Sequence, residues 1–205
     1  MVEPLHTHTN HPNLKVVRML PWSTLLLAAL AAVIFWQSGW QPQLWLDTQR
    51  GDELWRFVSG HWVHAQAAHF GWNLAGLLLV GTWLELNDRK LWWGSLLLGS
   101  VAVSTWFLLT QPTQIYAGLS GVLNTMLVVA LFLQVRVSRQ EDDRVSLIGI
   151  SLFTVGYLLK LTTEGLGWVQ WVDTGEWLPA PGAHISGALA GVVLCTALYS
   201  RRVNR

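Results

Sequence analysis

The 205-residue sequence has little charge: Asp, Glu, Lys and Arg together make up 12% of it, whereas apolar residues make up 52%. That is about half the charged share of a typical soluble domain, so the composition favours a protein whose main solvent is lipid. The formal net charge of +1 provides no basic surface for nucleic acid. Cysteine is nearly absent as well, and Cys195 has no second cysteine with which to form an internal disulfide.

Long apolar segments are the main feature that the sequence does contain. Six of them approach the roughly 20 residues that a helix needs to cross a hydrocarbon core about 30 Å thick. A helix also satisfies its backbone hydrogen bonds internally, as lipid requires, and the 14 tryptophans suit the membrane–water boundary. The sequence therefore predicts an all-α membrane protein with six transmembrane helices, at residues 19–36, 64–86, 91–110, 116–135, 145–161 and 179–199.

Polar residues precede and follow this predicted bundle. Residues 1–18 are interpreted as a disordered cytoplasmic leader and residues 201–205 as a basic cytoplasmic tail, which leaves 19–200 as the bundle domain. Lys15 and Arg18 resemble the charged start of a secretory signal, but no small-x-small cleavage site follows the first apolar segment. We therefore expect that segment to be retained as a helix.

Positive residues predict the orientation of the bundle. Ten of the 13 Lys and Arg residues lie at the N-terminus, in the second and fourth connections and in the tail. By the positive-inside rule both termini are cytoplasmic, in agreement with an even number of spans. Two connections are then long and external. We expect residues 37–60 to lie partly in the outer interface, whereas residues 162–178 suit either a movable flap or an ordinary interfacial loop.

Polar side chains inside the predicted spans gather at one side of the membrane. Such residues are costly in lipid, so each is a candidate for function. With this topology the second, fourth and sixth helices begin on the outer side, and the polar positions lie at those three beginnings. They are His64, His69, Asn73, Ser120, Asn124 and His184.

Ser120 lies in the motif Gly118-Leu119-Ser120-Gly121. Glycines beside the serine allow close approach of a substrate to the backbone. The nucleophile elbow of soluble hydrolases is disfavoured, because Val122 stands where that motif requires glycine and no strand precedes the serine. Taken alone, such a motif at a helix start is more often a packing contact.

His184 makes a catalytic interpretation stronger. Gly187 and Gly191 form a small-xxx-small face on the same helix, which allows close packing of another helix. If that face meets the fourth helix, His184 can reach Ser120 and act as the base that a hydroxyl nucleophile needs. The apolar part of neither helix contains a carboxylate, so the sequence predicts a Ser–His dyad.

Further groups can complete such a site. His69 and Asn73 are four residues apart on one helix face. Together with the Ser120 backbone N–H they can donate hydrogen bonds to an oxyanion. We expect His64 to hold the adjacent outer loop.

These residues resemble the rhomboid family of intramembrane serine proteases. The resemblance extends from about Trp55 to Tyr199, with the motifs in the family's order, and jointly they are specific. They are Trp55-Arg56, His64-x4-His69-x3-Asn73, Gly81-x3-Glu85, Gly118-Leu119-Ser120-Gly121 and Ala183-His184-x2-Gly187-x3-Gly191.

The resemblance implies a six-helix rhomboid-like bundle whose fourth helix is short and leaves a water-filled cavity open to the outside. It implies hydrolysis, without cofactor or metal, of a peptide bond in or near the transmembrane segment of a membrane-anchored protein. By the same resemblance, Ser120 is the nucleophile, His184 the base, and His69 with Asn73 the oxyanion donors. The bilayer is that of a bacterial inner membrane, with the site open to the periplasm, and the oligomeric state is left open.

One position departs from the family. An aromatic ring often lies four residues after the serine, stacked on the catalytic histidine, where this sequence has Asn124. We hypothesise that Asn124 orients His184 by a hydrogen bond instead. The short length and the Tyr116-x-Gly-Leu-Ser-Gly context further resemble the rhombosortase branch, which is thought to process secreted proteins with a C-terminal Gly-Gly-type anchor in Gram-negative bacteria.

Three other functions compete with this one. A catalytically inactive rhomboid-like binder of transmembrane helices is disfavoured by the intact Ser120 and His184. A transporter is disfavoured because no pair of broken helices recurs in two matching halves. A haem or metal protein lacks acidic or cysteine partners near its candidate ligands, which are His61, His64, His69 and His184.

Overall fold

A computed structural model describes residues 20–111, 114–169 and 180–203. The predicted leader lies outside these residues, and so do residues 170–178 of the proposed flap. The described chain is almost entirely helical. Its α-helices are α1 (Trp22–Trp36), α2 (Gln41–Leu44), α3 (Arg56–Ser59), α4 (Ala67–Gly76), α5 (Thr82–Asn87), α6 (Arg89–Thr110), α7 (Ser120–Gln140), α8 (Arg144–Gly165) and α9 (Pro181–Val203).

Four of these helices are long and apolar enough to cross a membrane: α6, α7, α8 and the part Pro181–Leu198 of α9. The helix α1 and the following Ser38–Leu44 are bent by 92°, and together they would make a fifth span. The predicted second span is divided. Between α4 and α5 lies a π-helical segment, Leu77–Gly81, and the three pieces follow one another without a gap. An all-α membrane bundle is therefore confirmed, whereas the number six stays a prediction.

Two predicted helix starts are wrong by a few residues. The second segment was predicted to begin at His64, but α4 begins at Ala67. The fourth was predicted to begin at residue 116, but Tyr116 belongs to a short strand and α7 begins only at Ser120. Gly118, with φ of +134°, explains the late start, since a right-handed helix cannot include that conformation.

The fifth predicted span ends too early. We expected it to end at Leu161, yet α8 continues to Gly165. The hydroxyls of Thr162 and Thr163 donate to Leu158 O and Leu159 O, so these polar residues remain inside the helix. Gly167, with φ of +70°, follows the helix end, as a C-terminal glycine commonly does.

The centre of the bundle is formed by α6, α7 and α9, which pack against one another. Large side chains such as Trp92, Val122 and Met126 are completely buried there. The helix α8 differs, because none of its residues is buried. It lies against α7 and α9 at the edge of the bundle.

The first loop is tied to the segment that precedes α7. Strands β1 (Leu46–Asp47) and β2 (Ile115–Tyr116) pair antiparallel, with Leu46 opposite Tyr116. Arg56 is 2% exposed and donates to Pro42 O at 3.1 Å and Trp45 O at 2.8 Å. An ordered first loop therefore supports the start of α7 from the side.

Carboxylates organise the opposite end of the bundle. Glu85 accepts hydrogen bonds from Ser23 N at 3.0 Å and Thr24 N at 2.8 Å, which satisfies free N–H groups in the first turn of α1. Asp88 caps α6 through Leu91 N, and Asp143 caps α8 through Ser146 N, both at 3.0 Å. These carboxylates have structural partners and lie away from the predicted site.

Candidate active site

Ser120 and His184 lie within hydrogen-bond distance of each other. Ser120 is the first residue of α7, and His184 lies in the first turn of α9. The distance from Ser120 Oγ to His184 Nε2 is 3.0 Å. This geometry allows the imidazole to take the hydroxyl proton directly.

Glycines bring α7 and α9 together. A Cβ atom on Gly187 would lie 1.9 Å from Gly121 O, and one on Gly121 would lie 2.9 Å from Ala183 O. A Cβ atom on Gly191 would lie 2.9 Å from Thr125 O. The Thr125 hydroxyl also donates to Gly187 O at 2.8 Å. The two backbones therefore touch at the glycine face, which sets His184 over Ser120.

The segment before Ser120 is held by three hydrogen bonds. Gly118 N donates to Gly60 O at 3.2 Å, and the Tyr116 hydroxyl donates to Gly118 O at 2.6 Å. Leu119 N donates to Nε2 of His64 at 3.4 Å. Burial lowers the pKa of His64, in the loop before α4, to about 3, so its ring is neutral and can accept this bond. His64 thus supports the nucleophile segment.

His69 and Asn73 line the same cavity as Ser120 and His184. This cavity has a volume of about 780 Å³ and is walled by both apolar and polar side chains. The His69 ring packs against Gly118, where a Cβ atom would lie 2.7 Å from its Cε1 atom. Asn73 is 4% exposed, and its Nδ2 donates to His69 O at 3.0 Å. The structure thus places the predicted oxyanion donors in the cavity that contains Ser120.

The hypothesis that Asn124 bonds to His184 is wrong. Asn124 Nδ2 donates to Ser120 O at 2.7 Å, and its Oδ1 accepts from the Tyr157 hydroxyl at 2.6 Å. Both ring nitrogens of His184 face other residues. Asn124 therefore links α7 to α8, because its amide oxygen accepts from Tyr157 of α8.

A carboxylate that the sequence analysis missed faces the other side of His184. Glu164 Oε2 lies 2.8 Å from His184 Nδ1, and Lys160 Nζ lies 2.7 Å from the same oxygen. The prediction of a dyad considered only the two helices that carry Ser120 and His184. Glu164 lies in the last turn of α8, where the sequence predicts a loop. The four-residue spacing of Lys160 and Glu164 was the available signal.

The four histidines considered as metal ligands do not form one group. His61 is fully buried, and its Nε2 faces Ser100 O and Ser104 Oγ, both at 3.2 Å and both on α6. Among the described residues, no cluster of three or more His, Cys, Asp or Glu side chains is arranged to hold a metal ion.

Comparisons with known proteins identify the family. The family model described as "Rhomboid domain" matches residues 51–201, so the chain belongs to the rhomboid family. It is similar to Rhomboid-related protein 2 of Mus musculus, with 28% identity over 86% of this chain and 64% of the relative. The chain thus spans a little less than two thirds of that protein's length. Family and helices together make it a multi-pass membrane protein.

Proposed function

We propose that this chain is an intramembrane serine endopeptidase, which hydrolyses a peptide bond in or near the transmembrane segment of a membrane-anchored protein. The observation that carries the proposal is the 3.0 Å contact between Ser120 Oγ and His184 Nε2 inside a cavity of about 780 Å³. A serine hydroxyl is a weak nucleophile until an adjacent base removes its proton. Membership of the rhomboid family supports the same chemistry.

The reaction proceeds in two halves. Ser120 Oγ attacks the carbonyl carbon while its proton moves to His184 Nε2. The C–N bond then breaks, and the same proton passes to the leaving amine, which leaves an acyl-enzyme ester on Ser120. Water then attacks this ester while its proton moves to His184, and the ester C–O bond breaks as that proton passes to Ser120 Oγ, which releases the acid product and restores the hydroxyl. No cofactor enters these steps.

The oxyanion of each intermediate needs hydrogen-bond donors. Ser120 is the first residue of α7, so its N–H has no acceptor within that helix. Helix N-termini also favour negative charge. We assign the remaining donors to His69 and Asn73, both of which line the cavity. Preorganised donors of this kind commonly contribute the largest share of the rate enhancement in acyl transfer.

The proposed site lies at the outer face of a bacterial inner membrane. Ser120 and His184 begin their helices, whereas Arg139 and Arg144 lie at the opposite ends of α7 and α8. By the positive-inside rule the arginine end is cytoplasmic, and the cavity then opens toward the periplasm. Fusions of a periplasm-active reporter to residue 112 and to residue 142 test this topology, because activity is expected only for the first.

Cleavage of a membrane-anchored reporter tests the function. The chain and a tagged single-span substrate are reconstituted in the same vesicles, and product is followed over time. We expect wild-type protein to release a fragment and Ser120→Ala protein to release none. Reporters with and without a C-terminal Gly-Gly-type anchor address the narrower rhombosortase assignment. A folded wild-type protein that captures the reporter without cleaving it would identify an inactive binder instead.

A further inference from the structure

The contact between Glu164 and His184 lies opposite the contact between His184 and Ser120. One ring nitrogen of His184 is 3.0 Å from Ser120 Oγ, and the other is 2.8 Å from Glu164 Oε2. The imidazole is thus held between a hydroxyl and a carboxylate that come from different helices. When Nδ1 carries the ring proton and donates a hydrogen bond to the carboxylate, Nε2 is left unprotonated and faces the serine.

The place of Glu164 in its helix is unfavourable for the helix itself. Glu164 lies in the last turn of α8, where the helix dipole favours cations and disfavours a carboxylate. Lys160 precedes it by four residues, the less favourable order for such a pair. Local helix energetics therefore do not explain a glutamate here, whereas its contact with His184 does.

Lys160 keeps the carboxylate charged without separating it from His184. Its Nζ lies 2.7 Å from the same Oε2 atom, and the Glu164 side chain is 11% exposed. A carboxylate so poorly solvated needs a positive partner to remain ionised. The Lys160 side chain is 34% exposed and, like Glu164, lines the cavity.

We propose that Glu164 is a positioning residue that acts through His184 and makes the site a Ser120–His184–Glu164 triad. It fixes the tautomer and the orientation of the imidazole, and it stabilises the imidazolium that forms when Ser120 gives up its proton. The proton stays on Nδ1 throughout, and Glu164 remains ionised. This inference rests on the proposed protease function.

A fluorophosphonate probe can measure the effect without a known substrate. The full chain in lipid is labelled at several probe concentrations, which separates the maximal rate, kinact, from the binding constant, KI. Glu164→Gln keeps the shape of the side chain, but its amide can donate to Nδ1 and so stabilise the wrong tautomer. We expect kinact to fall on the order of 10²-fold, the scale of general-base catalysis, with KI unchanged.

Two further variants distinguish positioning from a structural role. Glu164→Asp retains the charge, so we expect it to keep more of the labelling rate than Glu164→Gln at an equal melting temperature. Glu141→Gln removes a carboxylate from the exposed end of α7 and is expected to label like the wild type. A change in KI or in melting temperature alone would assign Glu164 to structure and overturn the proposal.

The outcomes also separate this inference from the proposed function. If Glu164→Gln labels within twofold of the wild type while Ser120→Ala and His184→Ala do not label, the site is a dyad and only the triad fails. If the folded wild-type protein does not label, the protease function fails and the triad fails with it.

Discussion

The helices α8 and α9 both contribute side chains to the site, but they are attached to the bundle in different ways. Helix α9 touches α7 through backbone, since Gly187 faces Gly121 with no space for a Cβ atom. Helix α8 has no buried residue and meets its neighbours through polar side chains, among them Tyr157 and Glu164.

This difference assigns distinct tasks to the two contacts. Nucleophile and base need a fixed distance, because proton transfer requires hydrogen-bond geometry. The glycine contact provides that rigidity. Separation of α8 from the bundle is expected to lose less packing than separation of α9, because no residue of α8 is buried. Substitutions at the contacts of α8 and of α9 test this difference.

The largest effect is expected at the α7–α9 contact itself. Ser120→Ala or His184→Ala is expected to lower the cleavage rate of a membrane-anchored reporter at least about 10³-fold, because each removes a group that reacts in the transition state. Ser151→Ala is a matched control on α8, where the exposed hydroxyl donates only to Leu147 O of its own helix. Activity retained by His184→Ala would contradict the assignment of the base.

Glycine substitutions test the packing difference directly. A Cβ atom on Gly187 would meet backbone at 1.9 Å, whereas one on Gly156 of α8 would meet nothing within 4 Å. We expect Gly187→Ala to destabilise the protein by about 1–3 kcal/mol, as overpacking does, and to reduce cleavage. Gly156→Ala is expected to be neutral. Equal melting temperatures for the two variants would show that α9 is not held by its glycines.

A smaller effect is expected at the polar contact of α8. Tyr157→Phe removes the hydroxyl that donates to Asn124 Oδ1 at 2.6 Å, which we expect to cost about 1 kcal/mol. The labelling rate is expected to fall a few-fold, since α8 also carries Glu164. Thr154→Val is the control, because that hydroxyl bonds only within its helix, to Ile150 O.

A double-mutant cycle identifies the origin of this effect. If Asn124 acts through Tyr157, the double variant of Asn124→Ala and Tyr157→Phe is expected to be no worse than Asn124→Ala alone. Additive losses in melting temperature would mean that the two side chains stabilise the protein independently.

The smallest effect is expected at the far end of α8. Asp143→Ala removes the N-cap and is expected to lower the melting temperature slightly without changing the labelling rate. The hydrogen bond from the Ser146 hydroxyl lowers the pKa of Asp143 below its ordinary value, so the cap is fully present at neutral pH and is lost only as the pH falls through that lowered pKa. Asp142→Asn, at an exposed neighbour, is the control for thermal unfolding measurements.

The sequence was sufficient to predict the pair Ser120 and His184, because glycine spacing and polar residues at helix starts are local signals. It was not sufficient to predict which other residues contact His184. The decline in hydropathy after Leu161 predicts a loop at Glu164, although the helix continues. The sequence alone does not show that Asn124 is bonded by Tyr157 of α8 rather than by His184 of α9. Contacts between helices depend on packing, which hydropathy does not describe.

The division of the second predicted span had no such signal. Leu77–Gly81 has the sequence LLLVG, and nothing in this apolar composition distinguishes a π-helical turn from an α-helical one. This π-helical segment lies between Asn73 of the candidate site and Glu85, whose carboxylate accepts hydrogen bonds from the first turn of α1.

The central claim is that His184 activates Ser120, and covalent labelling in lipid tests it most directly. The protein is treated with a fluorophosphonate, digested, and searched by mass spectrometry for the modified peptide. The account predicts one adduct, on Ser120, in the wild type and none on that residue in His184→Ala. An adduct on another serine, or equal modification of Ser120 in both proteins, would contradict it.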